Sequence, residues 1–367
     1  MKAMVSATIS AAALRHNLSV LRARAPASKV MAVVKANAYG HGVRAVAKAL
    51  SGADSFAVAR IEEGLTLRQV GIAQPIVLLE GVFDQDQLAE AAHANFELVV
   101  HTHEQIELLR RAPGVAPRDG HFTVWLKLDT GMNRLGFKPS EFLQARAALQ
   151  TMRHVRQPVR LITHMANADT PEHPGTLEQI KIFDTVTDAL PGERSVANSA
   201  SLFAFEQTQR DWVRPGLALY GVSPFGDSTG ADHSLQPVMT LASHIIALKT
   251  LEPGEHVGYG SIWSARRRTR LAIAAVGYGD GYPRNVLSST PVLVKGRRAP
   301  LIGRVSMDMI GIDVTDLDGT DACAALPGDP VVLWGDGLPV EKIASCAGTI
   351  PYELLCGISQ RVGVQIV

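Results

Sequence analysis

The stretch VMAVVKANAYGHG (residues 30–42) opens with five apolar residues and ends its run on a single lysine, Lys35, before turning through Asn, Tyr and two glycines. An apolar run rich in β-branched residues is what fills a strand buried on both faces. A lysine at its end can simply mark where the strand meets water, stem on apolar surface and ammonium outside. A lysine at the carboxyl end of a parallel strand also stands where α/β enzymes place reactive groups. The other strand ends decide between these readings.

Similar apolar segments recur along the chain: SFAVA (55–59), PIVLL (75–79), FELVV (96–100), FTVWLKL (122–128), VRLIT (159–163), RSVAN (194–198) and WVRPGLALY (212–220). Between most of them lie stretches of helical periodicity such as VRAVAKAL, IEEGLTLRQV and DQDQLAEAAHA. Eight strands alternating with helices over about 220 residues are the signature of a (β/α)8 TIM-like barrel. A doubly wound open sheet is the alternative, but the first strand is not followed by G-x-G-x-x-G. After about Ser234 the segments become short and Gly-bounded, as in TRLAIAAVGYG, TPVLVKG and DPVVLWG, and mostly lack intervening helices. The chain therefore divides into a barrel, residues 1–233, and a mainly antiparallel β domain, residues 234–367.

A chain of 367 residues exceeds what one core usually supports, in keeping with two domains. Thirty-six basic against 35 acidic residues give a net charge of +1, so no nucleic-acid or anionic-membrane surface is implied. Cys323, Cys346 and Cys356 form no C-x-x-C pair or metal spacing, which points to a reducing compartment, no disulfide framework and no metal site. The opening MKAMVSATISAAAL lacks a solid apolar core and nothing reaches transmembrane length, so a cytoplasmic protein without a leader is expected.

The carboxyl ends of the barrel strands converge on one chemistry. Lys35 and Tyr39 follow strand one; Lys127, Asp129 and Arg134 stand in KLDTGMNRLG after strand five; His164 ends strand six; Asn198 and Ser199 end strand seven; Arg214 and Gly216 open strand eight. Cations, a hydroxyl and backbone-exposing glycines around the last two strands suit a phosphate group. A phosphorylated ligand together with a lysine suggests a Schiff base.

On these motifs the chain resembles the bacterial alanine racemases, pyridoxal 5'-phosphate enzymes with an N-terminal barrel and a C-terminal β domain. VVKANAYGHG resembles the family's cofactor-lysine signature, KLDTGMNRLG its carboxylate-binding loop, THMANAD its strand-six histidine and RPGLALYG its phosphate and pyridine site. VGYG resembles the segment of the second catalytic base, and SMDM a substrate-binding loop reaching in from a partner subunit. The resemblance implies interconversion of L- and D-alanine, for peptidoglycan or for alanine breakdown, by a homodimer with shared active sites. It also implies that the first nine or so residues pair with the C-terminal domain.

Racemisation removes an α-proton from one face of the amino acid and returns one to the other, so two bases must oppose each other. The resemblance gives these roles to Lys35 and Tyr259. It gives the cofactor Lys35, Tyr39, His164, Asn198, Ser199, Arg214, Gly216, Leu217 and Tyr352, with His164 between Tyr259 and Arg214. It gives the substrate Arg134, Met307, Asp308 and Tyr278, and it makes Lys127 a lysine open to carbamylation. Each has a plain alternative: Tyr259 as an aromatic in a Gly-flanked turn, Arg214 or Lys127 as surface cations, Met307 as core packing. Both bases are poor at neutral pH, since a reference lysine is neutral about once in 2,500 molecules at pH 7, a handicap of roughly 4.6 kcal/mol, with tyrosine near 4 kcal/mol.

Two rivals remain at this level. A barrel-plus-β-domain decarboxylase for basic amino acids is expected to show an acidic residue at the pyridine nitrogen and a Gly-rich phosphate loop, where this chain has Arg214 and ANSAS. A cofactor-storing barrel needs neither a second domain nor an opposing tyrosine.

Overall fold

The computed structural model describes residues 4–112, 114–317 and 324–367, and Cys323 lies outside them. Eight parallel strands, Lys29–Val33, Ser55–Val58, Ile76–Leu78, Glu97–Val100, Val124–Lys127, Arg160–Ile162, Arg194–Ser195 and Trp212–Val213, close into a barrel. Closure comes from pairing of the last with the first, Lys29 opposite Trp212 and Val30 opposite Val213. Val30, Met31, Ala32, Phe56, Ala57, Val58, Ile76, Val77 and Leu78 are fully buried, as strands covered inside by each other and outside by helices must be. Between the strands run helices Val43–Ala49, Ile61–Gln69, Gln85–His93, His103–Arg110, Pro139–Gln150 and Gly175–Thr187.

The last strands are shorter than their apolar sequences suggest. WVRPGLALY forms a ladder only at Trp212–Val213, because Pro215 has no N–H to donate, and Leu217–Tyr220 coils into a 3-10 turn. RSVAN likewise pairs only at Arg194–Ser195, the chain then leaving the sheet to start helix Ser199–Ala204. These early exits place Arg214, Gly216, Asn198 and Ser199 on loops above the barrel instead of inside a ladder.

Strand Ser6–Ile9 never enters the barrel. It pairs antiparallel with the long strand Met239–Leu251 and parallel with the C-terminal strand Gly363–Ile366, and helix Ala11–Arg24 then leads to the barrel's first strand. An eight-stranded, mostly antiparallel sheet thus holds both ends of the chain. The barrel and this sheet share one continuous apolar core. Polar links span the junction: buried Asn17 donates to the carbonyls of Leu219 and Gln236, and Glu341 accepts from the amides of Ser223 and Gly230. Before the C-terminal strand, helices Val340–Ala347 and Pro351–Cys356 intervene, and the second packs on the segment following Lys35. No helix among the described residues is long and apolar enough to cross a membrane.

Candidate active site

A cavity of about 480 Å³ opens at the carboxyl end of the barrel strands. Lys35, Tyr39, Lys127, Arg134, His164, Asn198, Ser199, Arg214, Gly216, Leu217 and Tyr352 all line it, whereas Asp129 is outside the lining and accepts from the Gly131 and Asn133 amides of its own loop.

Lys35 is delivered by an unusual piece of backbone. Ala36, Asn37, Ala38 and Tyr39 all have φ between 52 and 55°, forming one left-handed helical turn directly after the lysine. Left-handed geometry costs an L-residue roughly 1–2 kcal/mol, so neighbours must enforce it. Glu63 accepts from the amides of Ala36 (2.6 Å) and Ala59 (2.8 Å), and the Asn37 side chain accepts from Val43 N at 2.9 Å. Gly40 closes the turn at φ 78°, where a Cβ would strike the Leu355 carbonyl of the packed helix. The sequence reading passed over Glu63; its only signal is a carboxylate in the first turn after the second strand.

The consequence for Lys35 is electrostatic. Burial, helped by Arg134, lowers its pKa from the ordinary lysine value, against the opposing pull of Glu80, Glu63 and Cys356. A neutral amine is the nucleophilic and basic form, so the site reduces the handicap that a free lysine carries. Lys127, last residue of its strand, is pushed down to about 8 by burial and by Arg214 and Arg134.

The Arg214 side chain is fixed at the barrel mouth. Its Nη1 donates to Ser195 Oγ (2.7 Å) and its Nη2 to the Thr163 carbonyl (2.6 Å), and it is 5% exposed. Burial lowers its pKa only to about 10, so it remains a cation. Nη2 also lies 3.3 Å from His164 Nδ1. Guanidinium has only donors, so that nitrogen carries a lone pair and His164 bears its proton on Nε2. Burial and the adjoining Arg214 hold His164 well below its ordinary pKa, neutral as this geometry requires. Ser195 and Thr163, which fix Arg214, went unread because their partner is distant in sequence.

Ser199 Oγ accepts from the amides of Gly216 (3.0 Å) and Ala218 (3.3 Å). A Cβ on Gly216 would lie 2.4 Å from Tyr39 Oη, so only glycine lets the phenol approach this backbone. Tyr352 arrives from helix Pro351–Cys356, its ring 5.9 Å from that of Tyr39. Asn198 lines the cavity and its side-chain oxygen also accepts from Ser201 N, capping helix Ser199–Ala204.

Tyr259, Tyr278, Met307 and Asp308 are not in this cavity. They belong to the β domain and face outward, Tyr259 being 70% exposed. His164 therefore contacts Arg214 within the chain, and Tyr259 does not complete that relay from the same subunit. The outward loops are nonetheless organised: Tyr278 N donates to the Ser306 carbonyl, Gly279 N to that of Met307, and Arg361 pairs with Asp308 at 2.7 Å.

The model of the alanine racemase N-terminal domain matches residues 9–224, and that of the alanine racemase C-terminal domain residues 238–366. An alanine racemase of Aeromonas hydrophila is 50% identical over 367 residues, all of both chains. The crystal structure of the biosynthetic alanine racemase from Pseudomonas aeruginosa superposes with a TM-score of 0.93 at 43% identity over the whole of each chain. That of Bartonella henselae, described with covalently bound pyridoxal phosphate, does so at 0.87 and 31%, again over both whole chains. With a shared fold, full-length coverage and half the residues in common, this chain belongs to the alanine racemase family.

Proposed function

We propose that the chain interconverts L-alanine and D-alanine with pyridoxal 5'-phosphate held on Lys35, as a homodimer whose subunits share each active site. The observation that carries this is the cavity wall: four cations, Lys35, Lys127, Arg134 and Arg214, converge on a space with Tyr39, Ser199 and a Cβ-less Gly216 at one end. The fit is chemical: Arg134 lowers the pKa of Lys35, and Arg214 and Arg134 that of Lys127, a crowding of positive charge that calls for an anion, and a phosphorylated aldehyde supplies both the anion and a partner for an amine. When bound, this cofactor supplies the electron sink that makes an amino acid's α-proton removable.

The chain's own residues do the rest. Lys35 holds the cofactor and moves the proton on one face; Tyr259 of the partner subunit moves it on the other. Neutral His164, with its Nε2–H free to donate, stabilises that tyrosine's phenolate and hands the interaction to Arg214. Arg214, whose guanidinium does not give up its proton, would stand at the pyridine nitrogen and keep it largely unprotonated, which would weaken the sink and disfavour misdirected protonation as in transamination. Tyr39, Ser199, the Gly216 and Leu217 amides and Tyr352 hold the phosphate, while Asn198 fixes Ser199. Arg134 with Met307, Asp308 and Tyr278 of the partner binds and encloses the substrate carboxylate, its planar fork matching two oxygens. D-alanine supply for peptidoglycan in the cytoplasm fits the biosynthetic designation of the Pseudomonas relative.

Incubation of the purified protein with L-alanine, L-serine, L-lysine and L-ornithine, followed by separation of enantiomers and amines, tests the function. D-alanine should be the dominant product; amines from lysine or ornithine would instead support a decarboxylase.

Lys127 gives a pH-dependent expectation. Its folded value of about 8 lies below the unfolded value of about 10.4, so the unfolded chain binds more protons between them. The penalty is complete below pH 8 and is relieved as pH rises towards 10, a range on the order of 3 kcal/mol. Apo-protein stability should climb across that window, and Lys127→Met should flatten the climb. The depressed pKa also favours carbamylation, in which the neutral amine bonds to the carbon of CO2, loses a proton to solvent and becomes an anion facing Arg134. Protein equilibrated with 13C-bicarbonate should show a carbamate resonance that Lys127→Met abolishes. A resonance unaffected by the substitution, or none at all, would leave Lys127 an unmodified cation.

A further inference from the structure

His41 stands two residues beyond Tyr39 and outside the cavity, and the proposed chemistry does not use it, yet it is completely buried. Its Nδ1 lies 3.0 Å from the Ala38 carbonyl and 2.8 Å from the Tyr39 carbonyl. Both are acceptors only, so Nδ1 carries the proton and donates to the two of them. Nε2 is then a bare lone pair, and it has no partner among the described residues. Burial holds the ring's pKa down to about 4, keeping it neutral.

The ring faces that of Tyr220 at 4.5 Å, and Tyr220 in turn faces Tyr39 at 4.8 Å. Tyr220 also donates its hydroxyl to the Val33 carbonyl at 3.0 Å, two residues before Lys35. The pair thus grips the left-handed turn at both ends: Val33 at its entry, the carbonyls of Ala38 and Tyr39 at its exit, and the Tyr39 ring from the side. An orphaned buried acceptor lowers stability, so an apolar side chain in the same space would be the better choice if packing were the only demand. The Ala38 carbonyl also accepts from the His41 amide at 3.0 Å, so what an apolar side chain cannot do is satisfy the Tyr39 carbonyl, turned inward by left-handed backbone.

We infer that His41 is a positioning residue for the reaction: its Nδ1–H holds the left-handed turn that aims Lys35 and Tyr39 into the cavity. The inference rests on the cofactor role proposed for Lys35.

The test uses full-length wild type, His41→Asn, His41→Gln and His41→Phe, each loaded with pyridoxal phosphate. The Asn amide nitrogen reaches where Nδ1 sits and the Gln amide nitrogen where Nε2 sits, while Phe keeps the ring stack without a donor. Readouts are the cofactor's dissociation rate, borohydride-reducible labelling of Lys35, kcat at saturating cofactor, and thermal midpoints of the apo-proteins. The Asn protein should keep cofactor and kcat within about threefold of wild type, whereas Gln and Phe lose at least about tenfold in both, the size expected for leaving the buried Tyr39 carbonyl unpaired. Equal retention in all variants, or equal loss in Asn and Phe at matched midpoints, overturns the inference. If the Phe protein does not fold, the Asn and Gln pair decides alone, since the two amides differ by one methylene. A wild type without a reducible adduct on Lys35 would instead overturn the cofactor role itself, and this inference with it.

Discussion

Lys35→Ala is expected to abolish racemisation and the visible absorbance of protein-bound cofactor together. The loss in kcat should exceed about 10⁴-fold, because the residue serves as covalent anchor and as one of the two bases, and acid–base catalysis alone supplies roughly 10²–10⁴. The only competitor in the cavity wall among the described residues is Lys127, whose lowered pKa also makes it a candidate nucleophile. The two differ in delivery. Lys35 is aimed by a left-handed turn braced by Glu63 and Asn37, whereas Lys127 ends a regular strand between Arg214 and Arg134 in charge. Borohydride reduction of wild type followed by peptide mapping should label Lys35 alone. A reducible adduct surviving on Lys127 in the variant would show that the cavity, and not the turn, selects the anchoring amine.

That turn also shows where the sequence stops being legible. The strand before it could be read from VMAVV because burial on both faces leaves a compositional mark, and the eight-fold alternation gave the barrel. Left-handed backbone through Ala36, Asn37, Ala38 and Tyr39 leaves no such mark, since two of its four residues are alanines with no propensity for it; Glu63 and helix Pro351–Cys356 brace it from distant parts of the chain and His41 from just beyond it. Arg214 illustrates the same limit. It stands beside a proline and a glycine, but its partners Ser195, Thr163 and His164 lie at or just past the ends of two other strands, and only barrel closure brings them within hydrogen-bond reach. Asn198 was legible as a strand-end polar residue and not as a cap, because the cap depends on the strand ending at Ser195. Motif resemblance reached further than residue pattern, since it alone pointed to Tyr259, Tyr278, Met307 and Asp308, residues that no spacing ties to the barrel.

Those four residues set the largest remaining expectation. A lone subunit leaves Tyr259 70% exposed and outside the cavity, although a base must meet the reacting carbon where water is excluded. The loops beside it are tied together as a unit, Tyr278 to Ser306, Gly279 to Met307 and Arg361 to Asp308, so the β domain presents a formed face whose exposed Tyr259, Tyr278 and Met307 lie outside the cavity of its own barrel. A twofold dimer would bring each such face onto the partner's cavity. Tyr259→Phe should then lower kcat by about 10²–10⁴-fold, while D-alanine still exchanges its α-hydrogen with deuterated water through Lys35. Mixing this variant with inactive Lys35→Ala protein provides the sharper measurement. In each mixed dimer one site collects both lesions and the other collects none. With random reassortment of equal amounts, half the dimers are mixed and half of their sites are intact, so activity should recover to about one quarter of wild type. Were Lys35 and Tyr259 of one chain to serve the same site, every site would retain a lesion and mixing would restore nothing, even with tagged subunits shown to have exchanged.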